Sequence, residues 1–167
     1  MMNRTEAGFA ELSVHRQRGS LRFERRLTTD LADAWSAVTE PERIARWYAP
    51  VTVQDQWWIT YCDDGSQYAE GNILRCEPEA LIEVSWRATD DADPATESLL
   101  RITLIPEGPE VLLVLEHEEL LAADLIQYGP GWHAFLDQLA DTEQSADFST
   151  RFSELQSQYE PLIAQRQ

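Results

Sequence analysis

Lysine is absent from this chain: all 13 basic residues among its 167 are arginine. Schiff-base chemistry on a lysine amine is therefore excluded, as is the lysine of a phosphate-binding P-loop. Cysteine is scarce. Cys62 and Cys76 fit neither the CxxC spacing of a redox dithiol nor a zinc cluster, and they are expected to be reduced, separate and structural. No apolar run approaches the roughly 18 residues that span a bilayer. The start, MMNRTEAGFAEL, lacks the apolar centre of a secretory signal, so the chain is expected in the cytoplasm and off the membrane. Positive charge is also short. Thirty acidic residues leave a formal charge of −17, which repels nucleic-acid phosphates and excludes nucleic acid as an expected partner.

The residues of common active sites are missing too. His15, His117 and His133 are far apart, and EHEE at 116–119 is not HExxH, so neither a metal nor a cofactor is expected. There is no GxSxG, and Ser85 and Ser98 stand on strands without an identifiable base, so no catalytic residue is assigned.

What is present is a one-domain length with 43% hydrophobic and 26% charged residues, enough to bury a single core over residues 1–167. Residues 1–8 are expected to fray. Phe9–His15 and Ser20–Thr28 flank Arg18-Gly19, and Leu21, Phe23 and Leu27 alternate with charges, which predicts an opening hairpin. The period then changes to helical at Leu31, Ala34, Trp35 and Val38, behind the cap candidates Thr29 and Asp30. Thr39-Glu40-Pro41-Glu42 reads as an N-cap, a first-turn proline and a capping-box glutamate, predicting a second short helix that carries Ile44, Trp47 and Tyr48.

From Val51 to Leu120 the pattern is a meander. VTVQDQWWITYC, QYAEGNILRCE, LIEVSWRA, SLLRITLI and VLLVLEHEEL are separated by DDG, EPEA, TDDADPATE and PEGPE, and the short separators imply antiparallel neighbours. With Asp64-Gly65 as a turn, Trp58 falls opposite Gly71 and Tyr61 opposite Tyr68. The alternation does not choose which face of the 51–77 segment is buried. Gly129-Pro130-Gly131 is expected to open a helix whose stripe Trp132, Phe135, Leu136 and Leu139 lies on the sheet, with His133 and Asp137 on its polar side. Phe152, Leu155, Tyr159 and Leu162 predict a docking C-terminal helix over 148–167.

Four local motifs, LRFERRLTTDLADAWSAVTEPERIARWYAP, EGNILRCEPEALIEVSW, VLLVLEHEEL and GWHAFLDQLA, occur in an order that resembles the activator of heat-shock-protein-90 ATPase homologue-like family of the START-like superfamily. The resemblance runs from about Leu21 to Ala140. It implies an α+β helix-grip fold: a curved antiparallel sheet wrapped around a long C-terminal helix, two short helices after the first strand, and a cavity between sheet and helix. It also implies several kinds of function, from chaperone activation to small-ligand binding and cyclase-type or hydrolytic enzymes, and fold alone does not choose among them. Eukaryotic activators carry a further domain ahead of this one, for which 167 residues leave no room. Where many relatives have a glycine pair, this chain has Asp55-Gln56.

The first reading is accordingly a protein, monomeric or homodimeric, whose cavity binds a small hydrophobic or aromatic molecule. Trp57, Tyr61, Trp86, His117, Trp132 and Phe135 are the candidate ligand-binding residues. Trp35 and Trp47 lie on helical apolar stripes and read as core wedges. His117 shares its side of the strand with Val111, Leu113 and Leu115 and reads first as a hydrogen-bonded structural histidine. The alternatives are a stress-related protein that contacts a chaperone, and an enzyme using His117 as acid or base. Arg25 and Arg26 read as surface partners of the acidic exterior.

Overall fold

The computed structural model describes residues 8–90, 93, 96–140 and 147–167. The expected fraying therefore lies, apart from Gly8, outside the described residues. The opening hairpin pairs β1 (Glu11–His15) with β2 (Arg18–Leu27). Its turn is Arg16-Gln17, with Arg16 in the left-handed region at φ 58°, two residues before the expected Arg18-Gly19. Gly19 has another use. A Cβ there would lie 2.7 Å from Leu125 Cδ1, so its bare backbone lets a helix start seat directly on the strand.

Asp30 caps α1 (Leu31–Thr39) by accepting from the Asp33 amide at 2.8 Å. Helix α2 (Pro41–Trp47) follows at once, with Pro41 in its first turn, where a missing N–H costs nothing. Glu40 rather than Thr39 is its N-cap, and it makes no side-chain cap bond. The Thr39 hydroxyl instead closes α1 by donating to Trp35 O at 2.6 Å.

The meander is present with one more strand than expected. VTVQDQWWITYC divides into β3 (Val51–Gln54) and β4 (Trp57–Tyr61) about an Asp55-Gln56 turn, with Asp55 at φ 56°. Strands β5 (Gln67–Glu77), β6 (Leu81–Ala88), β7 (Ser98–Glu107) and β8 (Glu110–Leu121) complete an eight-stranded antiparallel sheet, ordered β1-β2-β8-β7-β6-β5-β4-β3. Trp58 does face Gly71. A register shift beyond Thr60 places Tyr61 opposite Gln67 instead of Tyr68.

The approach at Gly71 is close. A Cβ there would sit 1.8 Å from Ser85 O and 2.9 Å from Trp58 Nε1, which itself donates to Ser85 O at 3.2 Å. Because the obstacle is backbone, Gly71→Ala is expected to force β5 from β6 and cost about 2 kcal/mol. Urea unfolding checks this, and an unchanged midpoint would remove the close approach as an explanation.

After a short 3-10 turn (Ala122–Asp124), α3 runs Leu125–Ala140 and α4 runs Phe148–Ala164. The long helix thus begins five residues before Pro130, which falls inside it. Proline lacks the N–H that would bond Ile126 O, yet the flanking glycines compensate by admitting neighbours. A Cβ at Gly129 would come 3.3 Å from the Tyr159 ring, so α4 can press on α3 there.

The core joins Phe23, Leu113 and Leu115 of the central strands to Leu125, Trp132 and Leu136 of α3 and to Leu155, Tyr159 and Ile163 of α4. The C-terminal stripe is therefore led by Leu155, Tyr159 and Ile163, with Phe152 and Leu162 half-buried. This is the helix-grip α+β fold: the curved sheet holds α3, and α4 covers the outside of α3.

That cover overturns two surface assignments. Arg25 is only 8% exposed, and His133 is fully buried instead of lying on a polar face. Asp137 receives Arg25 at 3.2 Å and Arg151 at 3.1 Å, with His133 Nε2 at 3.4 Å. The Tyr159 hydroxyl accepts from the Ala10 amide at 3.0 Å and lies 2.9 Å from His133 Nδ1. With Tyr159 donating to Nδ1, the His133 proton sits on Nε2, which lies near Asp137 but makes no hydrogen bond of good geometry to it. By contrast, Arg26 is an exposed partner of Glu107 at 3.2 Å, as expected.

Candidate functional site

The alternation of β4 sends Trp58 and Thr60 inward and leaves Trp57 38% exposed on the opposite face. Inward residues of the neighbouring strands, Ile73, Val84, Trp86, Leu100 and Ile102, form the floor of a cavity of about 380 Å³. Trp35, Val38, Ile44 and Trp47 from the α1–α2 corner and Trp132 from α3 close it. A second cavity of about 460 Å³ lies toward α4, between Tyr61, Cys62, Asp63 and Tyr68 of the β4–β5 end, Tyr128, Phe135 and Gln138 of α3, and Phe148 and Phe152 of α4.

Three rings belong to both cavities: Tyr48, Trp86 and Trp132. Tyr48 stacks on Trp132 at 5.3 Å between centroids, and Trp86 meets Trp132 edge to face at 5.5 Å. The two spaces therefore adjoin, as two lobes on either side of a shared aromatic partition.

Five of the six tryptophans line the first lobe. Four of these five have their indole N–H engaged by the protein. Trp47 donates to Ala37 O at 2.9 Å, Trp58 to Ser85 O, Trp86 to Tyr128 Oη at 3.1 Å, and Trp132 to His117 Nδ1 at 3.0 Å. With those polar edges fixed, the rings offer a ligand their apolar faces.

His117 is fully buried behind Trp86 and Trp132 and borders neither lobe. Because Nδ1 accepts from Trp132, the proton sits on Nε2 and is donated to Ser98 Oγ at 2.8 Å, which in turn donates to Trp86 O at 3.2 Å. Burial pushes the imidazole down to about 3. Both nitrogens are occupied and the ring is neutral, so the arrangement positions Trp132 and Trp86 and leaves no atom open for acid or base work.

Tyr48 has the opposite problem. Its hydroxyl is sealed from water beside Thr60, whose own hydroxyl donates to Pro50 O at 3.0 Å, and it makes no hydrogen bond of good geometry. Burial raises its pKa well above that of a free phenol. Removing an unsatisfied buried hydroxyl relieves its desolvation cost, so Tyr48→Phe is expected to stabilise the protein by about 1 kcal/mol, a rise of roughly 2–4 °C in melting temperature. A fall of similar size would mean that the hydroxyl has a partner.

Of the residues proposed from sequence, Trp86 and Trp132 line both lobes, Tyr61 and Phe135 line the second, His117 supports the walls from behind, and Trp57 lies outside both. The sequence reading missed Tyr48 and Tyr128. Trp35 and Trp47, read as wedges, do pack at the α1–α2 corner, where their rings also border the first lobe. Cys62 and Cys76 are free and exposed. Among the described residues no group of three or more His, Cys, Asp or Glu side chains is placed to hold a metal ion, and no helix is long and apolar enough to cross a membrane.

The fold has counterparts in solved structures. CalU16 from Micromonospora echinospora is 25% identical with a TM-score of 0.72, the match covering 95% of this chain and 99% of that one. The protein encoded by gene BPP1335 from Bordetella parapertussis is 24% identical at TM-score 0.68, over 95% of this chain and 94% of that one. A conserved protein of unknown function from Enterococcus faecalis, EF2215, is 13% identical at TM-score 0.66, over 95% and 92%. None of the curated proteins matches. The model of the family described as activator of Hsp90 ATPase homolog 1-like protein matches residues 28–143, a stretch that carries every wall residue of the two lobes except Phe148 and Phe152 of α4, and the chain belongs to that family.

Proposed function

We propose that the protein binds a small hydrophobic or aromatic molecule, without covalent chemistry, in the hollow between the sheet and helices α3 and α4. The observation that carries this reading is the first lobe. About 380 Å³ of space is walled by five tryptophans whose orientation is fixed by hydrogen bonds or packing, a size and character typical of small-molecule pockets. The lobe opens to solvent past exposed Pro41 and Val53, and a concave apolar surface of this kind marks a ligand groove.

Native mass spectrometry of protein purified from its own host tests the reading, together with tryptophan emission during titration with aromatic probes. The expected result is an adduct of small mass, or saturable quenching that Trp132→Ala weakens at least tenfold. No adduct and no saturable response would reject it. A second reading, contact with a chaperone, is supported by the family description alone. Its test is stimulation of the chaperone's ATPase, and absence of stimulation rejects it.

A further inference from the structure

We infer that the molecule bound in this hollow is uncharged, with an aromatic body and one neutral polar group held at the second lobe. The inference rests on the ligand-binding reading above and adds the charge class. Its basis is the chemistry of the walls. Among the described residues no arginine or histidine borders either lobe, lysine does not exist in the chain, and of the residues outside the described set only Arg4 is basic. A carboxylate or phosphate entering the hollow would surrender its hydration without meeting a cation, and the overall charge of −17 adds a repulsive field.

A cationic ligand is little better served. The one carboxylate on the walls, Asp63, is exposed at the hairpin end, where water and salt screen it. Neutral hydrogen-bonding groups, however, gather in the second lobe. Tyr68, Tyr128, Gln127 and Gln138 border it, and the Tyr128 oxygen is already fixed by Trp86. Phenol, carbonyl and amide groups match that set, while the first lobe presents almost nothing but carbon to the rest of the molecule.

The test uses three probes of one shape, 2-naphthol, 2-naphthoate and 2-naphthylmethylammonium, titrated at pH 7.5 by calorimetry and tryptophan emission. The expected order places 2-naphthol at least tenfold tighter than either ion. Gln138→Arg, which adds a cation to the wall, is expected to raise the ratio of 2-naphthoate to 2-naphthol affinity at least tenfold. Gln127→Arg, at an exposed wall position, serves if the first variant does not fold. Either ion binding as tightly as 2-naphthol would overturn the inference and leave the ligand-binding reading in place. So would an arginine variant that binds 2-naphthol but gains nothing for 2-naphthoate. Failure of all three probes would remove both.

Discussion

Replacing His117 by alanine is expected to lower the unfolding free energy by about 4 kcal/mol. Two costs combine. Deleting a fully buried ring leaves a cavity beneath Trp86 and Trp132. It also strips partners from Trp132 Nε1–H and Ser98 Oγ, each of which loses a buried hydrogen bond made at 3.0 and 2.8 Å. Ser98→Ala, which keeps the ring, is expected to cost only about 1 kcal/mol. A double-mutant cycle of His117→Ala with Trp132→Phe isolates the indole–imidazole bond. Coupling above about 0.5 kcal/mol is the expected outcome, and additive single effects would show that the bond contributes nothing of its own.

Acid is expected to destabilise this protein before most carboxylates titrate. Burial holds His117 down at about 3 and His133 at about 4, the latter despite the attraction of Asp137. In the unfolded chain both imidazoles take up protons near 6.5. Between pH 6.5 and 4 the unfolded state therefore binds more protons than the folded one, so stability rises with pH and falls on acidification. At about 1.4 kcal/mol per pH unit for each histidine, the loss by pH 4 is on the order of 5 kcal/mol. Asp33, held below the usual carboxylate range by Thr29 and Arg43, and Asp64 and Asp147, held down by hydrogen bonds within their turn and cap, add to the loss only as they protonate. Denaturant unfolding at pH 7.5, 6, 5 and 4 reads the slope. A flat profile from 7 to 5 would contradict the buried neutral pair, and His133→Gln is expected to remove about half the slope.

The misreadings share a physical cause. Alternation and helical spacing report which residues of one element share a face, and that sufficed for the strands, the α1–α2 corner and the contact of Trp58 with Gly71. They do not report a second layer. His133 and Arg25 look like surface residues because each stands among polar neighbours, yet α4 folds over them and turns that polarity into a buried network. Trp57 and Trp58 are adjacent and chemically identical, so only the side on which the sheet curls distinguishes wall from exterior. Tyr48 escaped notice for a different reason. It ends α2 with an irregular backbone at φ −118° and ψ −91°, and no period predicts where such a side chain points. Asp55-Gln56, which falls inside the single segment VTVQDQWWITYC of the meander pattern, is a hairpin turn because Asp55 tolerates a left-handed backbone better than most residues.

The position of α4 bears on how the chain is made. Tyr159 supplies the group that the Ala10 amide and His133 Nδ1 both require, and Arg151 gives Asp137 its second guanidinium. On the ribosome, Ala10 and His133 therefore wait for Tyr159, 26 residues beyond position 133, and Asp137 waits for Arg151. Until those emerge, a neutral imidazole, a carboxylate and a strand-leading amide remain in water, and the nascent sheet is open on the side where α4 will lie. Completion of this fold therefore waits for α4, and the interval before it docks is when the chain most needs protection from aggregation.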